Sequence, residues 1–156
     1  MGLKQQIEDD LKTAMLAGDK TLVTTLRGLK SAILNIEVAK GARETGLPDS
    51  EITDILAKEA KKRQESADMY VQGASQERAD AELQEKTVIE KYLPKQLDET
   101  EVKTVIEEVI SGMGEVSTAQ MGQIIGAVKS KTGASADGAL IARLVKERLS
   151  WSFSWG

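Results

Sequence analysis

Apolar residues recur at intervals of three and four along nearly the whole chain, and nowhere alternate strictly with polar ones over the length of a strand. That periodicity restricts the chain to helices packed on helices. Leu3, Ile7, Leu11 and Met15 stand four apart and predict an apolar stripe on a first helix, which Gly18 stops. Asp19 is placed to cap the next helix, whose Leu22, Leu26, Leu29, Ile33 and Ile36 form a seam built to pack on a neighbour. Gly41 ends that helix, and residues 41–50 read as a loop with Pro48 ahead of a cap at Asp49 or Ser50. A third helix over roughly 50–72 is expected to bury Ile52, Ile55, Leu56, Met69 and Tyr70. Gly73 breaks it, Ser75 is placed to cap a fourth, and Tyr92-Leu93-Pro94 closes the series, because proline disfavours helical backbone in the residue before it.

Beyond Pro94 the helices are shorter and separated by glycines. Asp98 with Glu101 makes a capping-box start, followed by Val102, Val105, Ile106, Val109 and Ile110 on one face and a stop at Gly112 and Gly114. Ser117 with Gln120 opens a helix carrying Met121, Ile124, Ile125 and Val128, closed by Gly133. Asp137 is placed to cap a last helix with Leu140, Ile141, Leu144, Val145 and Leu149. The expectation is an all-α protein of two units, 1–94 and 95–150, without solenoid-type repeats. Residues 151–156, Trp-Ser-Phe-Ser-Trp-Gly, hold both tryptophans and the single phenylalanine. They fit neither helix nor cap and are expected to be a poorly ordered end; native tail, docking segment and artefact all stay open.

Composition narrows the chemistry. Among 156 residues there is no Cys and no His, and aromatics make up 3%. A thiol nucleophile, a Ser–His or Cys–His pair, a zinc site of the usual ligands and a disulfide framework are all excluded. Carboxylates, lysines and tyrosines remain available as acids or bases, but no catalytic residue, metal site or cofactor is expected. No apolar run is long enough to span a membrane. No signal-like apolar region follows Met1, and Gln6 stands where an acylation signal needs Ser or Thr, so the expected location is the cytoplasm.

The formal net charge of −4 argues against a general nucleic-acid coat, yet charge is unevenly placed. Residues 95–128 carry Lys95 and Lys103 against six acids (Asp98, Glu99, Glu101, Glu107, Glu108 and Glu115). Residues 129–150 carry Lys129, Lys131, Arg143, Lys146 and Arg148 against only Asp137 and Glu147. This basic set flanks the turn from Gly133 to Gly138, where helix N-terminal N–H groups add fixed donors suited to phosphate. A basic helix end stabilised by its dipole is the competing reading.

Three other features carry less. Gly41-Ala-Arg-Glu-Thr-Gly46 has the glycine spacing of a phosphate loop, but Leu47-Pro48 follows in place of Lys and Ser or Thr, and no strand precedes it, so it reads as a plain loop. The Lys61-Lys62-Arg63 cluster is flanked by Glu59 and Glu65 and reads as a solvated face, with Glu59 able to pair with Arg63. Gly122 and Gly126 make a GxxxG spacing on a helix. Each glycine costs roughly 1 kcal/mol of helix propensity. Close approach of a neighbouring helix is the expected compensation, and close approach of a ribose-phosphate backbone the alternative.

Several segments together resemble the YqeY family (GatB/YqeY): Leu26-Arg27-Gly28-Leu29-Lys30-Ser31-Ala32-Ile33, Glu59-Ala60-Lys61-Lys62-Arg63, Tyr92-Leu93-Pro94-Lys95-Gln96-Leu97, Met121-Gly122-Gln123-Ile124-Ile125-Gly126-Ala127-Val128 and Ala136-Asp137-Gly138. The resemblance covers about residues 1–149, and the last two stretches with the YLPKQL segment are its most specific pieces. It implies a longer N-terminal helical domain followed by a compact three-helix C-terminal domain. It also implies kinship with the tail of the B subunit of aspartyl/glutamyl-tRNA amidotransferase, which contacts the outer corner of tRNA. A glutamine-dependent carbon–nitrogen ligase label comes with that kinship, but it concerns the parent complex, whose amidase and kinase-like parts have no counterpart in these residues. One departure is that Ala134 and Ser135 stand where the family usually has a basic residue before its Ala-Asp-Gly, which removes one phosphate contact.

The function expected from the sequence is therefore a non-catalytic, tRNA-binding accessory protein. The nucleic-acid-binding residues would be Lys129, Lys131, Gly133, Gly138, Arg143, Lys146 and Arg148. A helical adaptor docking on a tRNA synthetase or an amidotransferase is the alternative, with acidic residues 98–115 and the aromatic end as its surface. A ligase acting alone stands third. No membrane partner is expected.

Overall fold

The computed structural model describes residues 2–150. The expectations for the aromatic segment 151–156 lie outside the described residues. Among those described the fold is all-α: α1 (Leu3–Ala17), α2 (Lys20–Ala39), α3 (Asp49–Gln72), α4 (Gln76–Glu90), α5 (Glu99–Met113), α6 (Met121–Thr132) and α7 (Gly138–Ser150), with short 3-10 turns at Thr118–Gln120 and Gly133–Ser135. The contacts divide the chain into two compact units, Met1–Leu93 and Pro94–Gly156.

In the first unit the junction of α1 and α2 takes only two residues. Gly18 adopts a left-handed conformation (φ 70°) that closes α1, donating its N–H to Met15 while Asp19 donates to Ala14. The Asp19 carboxylate then accepts from the Leu22 N–H at 3.1 Å and opens α2. The same closing pattern ends α2, where Gly41 N–H reaches Val38 and Ala42 N–H reaches Glu37. Asp49, expected to cap its own helix, instead accepts from the Leu3 N–H at 3.2 Å and so caps α1.

The core of this unit consists of Ile7, Leu11, Ala14, Leu26, Leu29, Ile33, Ile52, Leu56, Ala60 and Ile89. Three expected core residues face solvent: Met15 (52% exposed), Ile36 (36%) and Met69 (72%). For Met15 the reason is angular. A helix turns about 100° per residue, so three successive steps of four carry a stripe about 120° off its face. The buried positions take a step of three at that point, with Ala14 in place of Met15. On α2 the buried position is Glu37, 1% exposed, whose carboxylate receives the Lys4 ammonium at 3.0 and 3.2 Å. A buried carboxylate needs such a partner, because unpaired it would carry the full desolvation penalty.

In the Lys61-Lys62-Arg63 segment the two lysines are exposed, as a solvated face requires, and Arg63 makes the expected pair with Glu59 but is partly buried. Glu59 is buried and draws in Lys62 at 3.2 Å and Arg63 at 3.5 Å, while Arg63 reaches Glu85 of α4 at 4.0 Å. Thr25 of α2 donates to the same Glu85 at 3.4 Å, and the Arg63 guanidinium lies beside Gly28, where a Cβ would stand 3.6 Å from it. The unit is thus stitched across α2, α3 and α4 by a polar seam beside its aliphatic core.

The second unit packs α5, α6 and α7 around Val102, Ile106, Val109, Ile110, Ile124, Val128, Ile141, Leu144 and Val145. Asp98 and Glu101 form the expected capping box at α5. The Gln120 side chain accepts from the Ser117 N–H at 2.9 Å at the start of the 3-10 turn before α6.

Tyr92 hydrogen-bonds Asp10, tying the end of the first unit to α1. Burial, reinforced by that bond and by the Asp10 charge, pushes the Tyr92 phenol well above the usual tyrosine value of about 10. Its folded value is raised, so the stability it contributes is complete below about pH 10 and is lost as pH rises beyond that. Urea denaturation of wild type and Tyr92→Phe across an alkaline series should show a wild-type advantage that shrinks above about pH 10. A constant difference across the series would contradict this assignment.

Candidate nucleic-acid interface

The residues expected to contact nucleic acid all lie on α6, on α7 and in the turn between them. Gly133 ends α6 with φ 54° and ψ −132°, a backbone conformation that L side chains rarely adopt. The turn is held from outside by the start of the unit. The Leu97 N–H donates to the Ser135 carbonyl at 2.8 Å, and the Gln96 amide donates to the Ala134 carbonyl at 2.9 Å. The YLPKQL stretch therefore positions the turn, a role that its sequence does not advertise. Gly138 opens α7, and the Lys129 side chain lies across it; a Cβ there would stand 3.2 Å from the Lys129 Cε. Gly138 thus lets a lysine stem cross the helix start closely.

The cations themselves divide into two groups. Arg148 is 14% exposed at its side chain and forms a two-pronged ion pair with Glu107 of α5. Arg143 donates to Glu147 at 3.0 Å and reaches Glu99 of α5 at 3.4 Å. The bond to Glu147 above all, with the charge of Glu99, pushes its guanidinium above its ordinary value. Lys131 meets Glu108 of α5 at 3.9 Å, with both side chains more than half exposed. The acid-then-base order along the sequence thus folds into pairing of α5 with α6 and α7. Lys129 and Lys146 are exposed and take no part in the ion pairs among the described residues.

The two glycines of the GxxxG spacing differ from expectation. Gly122 and Gly126 are exposed, and a Cβ at either would meet nothing within 4 Å. No neighbouring helix packs on them. The α6 face that runs through Gly122, Gly126 and Lys129 to Gly133 is therefore bare backbone open to the surroundings. Ser130 hydrogen-bonds the Gly126 carbonyl at 3.1 Å on the same face.

Comparison with known proteins now gives the family. The family model described as Yqey-like protein matches residues 4–149. The chain belongs to the YqeY family. Among curated relatives, the protein named altered inheritance of mitochondria protein 41, mitochondrial, from Kluyveromyces lactis is 29% identical over 130 residues, covering 81% of this chain and 69% of the relative. Its namesake from Clavispora lusitaniae is 31% identical over 129 residues, covering 81% and 71%. That from Vanderwaltozyma polyspora is 31% identical over 117 residues, covering 74% and 60%. These YqeY-family relatives carry mitochondrial names, which overturns the expectation of a cytoplasmic location. That expectation follows from the lack of an apolar span, and such a lack does not tell one aqueous compartment from another.

In this YqeY-family unit, Arg148→Ala should lower stability by about 1–3 kcal/mol, because Glu107 loses its partner in a half-buried site. Lys131→Ala, which breaks an exposed pair, should change stability by less than about 0.5 kcal/mol. Urea denaturation of both variants checks the contrast, and equal effects would contradict the separation of the half-buried from the exposed ion pair.

Proposed function

We propose that this protein is a non-catalytic accessory protein that binds tRNA through its three-helix C-terminal domain, with the longer N-terminal helical domain as a second module. The reading takes up the resemblance to the tRNA-contacting tail of the amidotransferase B subunit. The observation that supports it most is the open glycine face of α6. Mid-helix glycine is unfavourable by about 0.5–1 kcal/mol relative to alanine, and here no neighbouring helix offsets that. A sugar-phosphate chain, which needs close access to backbone more than it needs side-chain partners, fits such a face. Lys129 at its end is a free cation for a phosphate, and Lys146 on α7 is another.

The remaining expected contacts have graded roles. Arg143 and Lys131 are held by exposed pairs that contribute little, so they can exchange a carboxylate for a phosphate. Arg148 is the structural cation of the set. Few phosphates would be neutralised, so binding is modest, shape-reading and steeply salt-dependent.

Filter binding of total tRNA over a salt series tests the reading. Gly126→Ala should stabilise the fold by about 0.5–1 kcal/mol while weakening tRNA binding, a split that no purely structural role produces. Lys129→Glu should weaken binding across tRNA species and flatten the salt slope by about one. Absence of tRNA retention, or retention untouched by both substitutions, would refute the proposal. Recovery of a protein partner after nuclease treatment would favour the adaptor reading instead.

A further inference from the structure

The first unit holds a second concentration of free charge, far from the segments assigned above in sequence. A groove of about 540 Å³ runs between α1 and α2. Its size falls within the range of roughly 300–1,000 Å³ typical of small-molecule sites. Arg27 and Lys30 of α2 and Arg43 of the following loop line it, and all three are exposed. Lys4, which also lines the groove, pairs with the buried Glu37. Arg27, Lys30 and Arg43 take part in none of the ion pairs among the described residues. Arg27 and Lys30 are like charges three residues apart on one helix face, an arrangement that mildly destabilises a helix with no anion present.

The rest of the lining narrows the ligand. Ile7, Leu11 and Leu34 give the groove an apolar side, and Leu34 is 41% exposed there. Glu8 of α1 faces the same space and supplies a hydrogen-bond acceptor. Three cations with two guanidinium forks suit the several oxygens of a phosphate better than a single carboxylate. A bare inorganic ion would leave Glu8 and the apolar side unused.

We propose that the α1/α2 groove is a binding site for a small phosphate ester whose body carries a hydroxyl or amine and some apolar surface. Arg27, Lys30 and Arg43 would hold the phosphate, Glu8 would accept from the donor group, and Leu34 with Leu11 would cover the apolar part. The loop from Gly41 to Gly46 contributes through the Arg43 side chain, with no role for backbone N–H groups of the phosphate-loop kind.

Titration of the full chain, followed by amide NMR, with inorganic phosphate, phosphoethanolamine and phenyl phosphate tests this. Shifts should centre on residues 27–34 and 43, and both esters should bind more tightly than inorganic phosphate. Arg27→Glu with Lys30→Glu should weaken all three by at least about tenfold, and a retained amide spectrum shows that the variant is folded. Glu8→Gln should erase only the advantage of phosphoethanolamine. No shift at the groove with any probe, or shifts indifferent to the charge reversal, would overturn the proposal. If the double charge reversal instead weakens tRNA binding while the small esters do nothing, the groove is an RNA surface and the small-ligand assignment is wrong. Lys129→Glu should leave ester binding unchanged, so failure of the tRNA reading and failure of this one are distinguishable.

Discussion

Aliphatic packing without aromatics is the constraint on which the rest of this structure depends. Leucine, isoleucine, valine and alanine supply both cores, and the half-buried Tyr92 is the aromatic packed against the first of them. Such side chains fill a seam between two helices well but offer little volume to span a wide interior. Small units of this kind bury a modest share of their surface and stay close to marginal stability. Each core therefore ends at an edge where polar groups lie within reach of one another, and those edges are closed by ion pairs. Lys4–Glu37 closes one edge, Glu59–Arg63–Glu85 another, and Glu107–Arg148 a third.

Those pairs decide which charges are left for function. A charged residue near the rim of an aliphatic core is drawn into structure whenever a carboxylate stands opposite. Arg148 and Arg63, each less than a fifth exposed at the side chain, are of that kind. Other cations stay exposed and outside the ion pairs among the described residues. Lys129 beside Gly138, Lys146 on α7, and Arg27 with Lys30 at the α1/α2 groove are among them. Which cations pair thus depends on what folding brings opposite them as well as on local composition.

The same distinction explains what the sequence made legible. Stripes such as Leu26, Leu29, Ile33 on α2 and Ile141, Leu144, Val145 on α7 could be read directly, because a three–four spacing is a local property. The capping box at Asp98 and the glycine stop at Gly18 are equally local. One more step of four from Leu11 reaches Met15, whereas the core takes Ala14. On α2 hydrophobicity points to Ile36, whereas the buried position belongs to Glu37, which Lys4 neutralises.

The candidate interface shows the limit more sharply. Its turn and its cations were legible in outline, but not the separation of structural from free ones. The partner of Arg148 and the second partner of Arg143 sit on α5, about forty residues earlier, and no short-range pattern predicts which carboxylate a helix will face after folding. The GxxxG spacing failed for the same reason in the opposite sense. The motif states that backbone is bare along one line of α6, while only the arrangement of α5 and α7 shows whether a helix covers it. Because α6 buries Ile124, Val128 and Thr132, its glycine line points outward. An unpaired lysine at the end of an uncovered stretch of backbone is a conjunction that belongs to the tertiary structure.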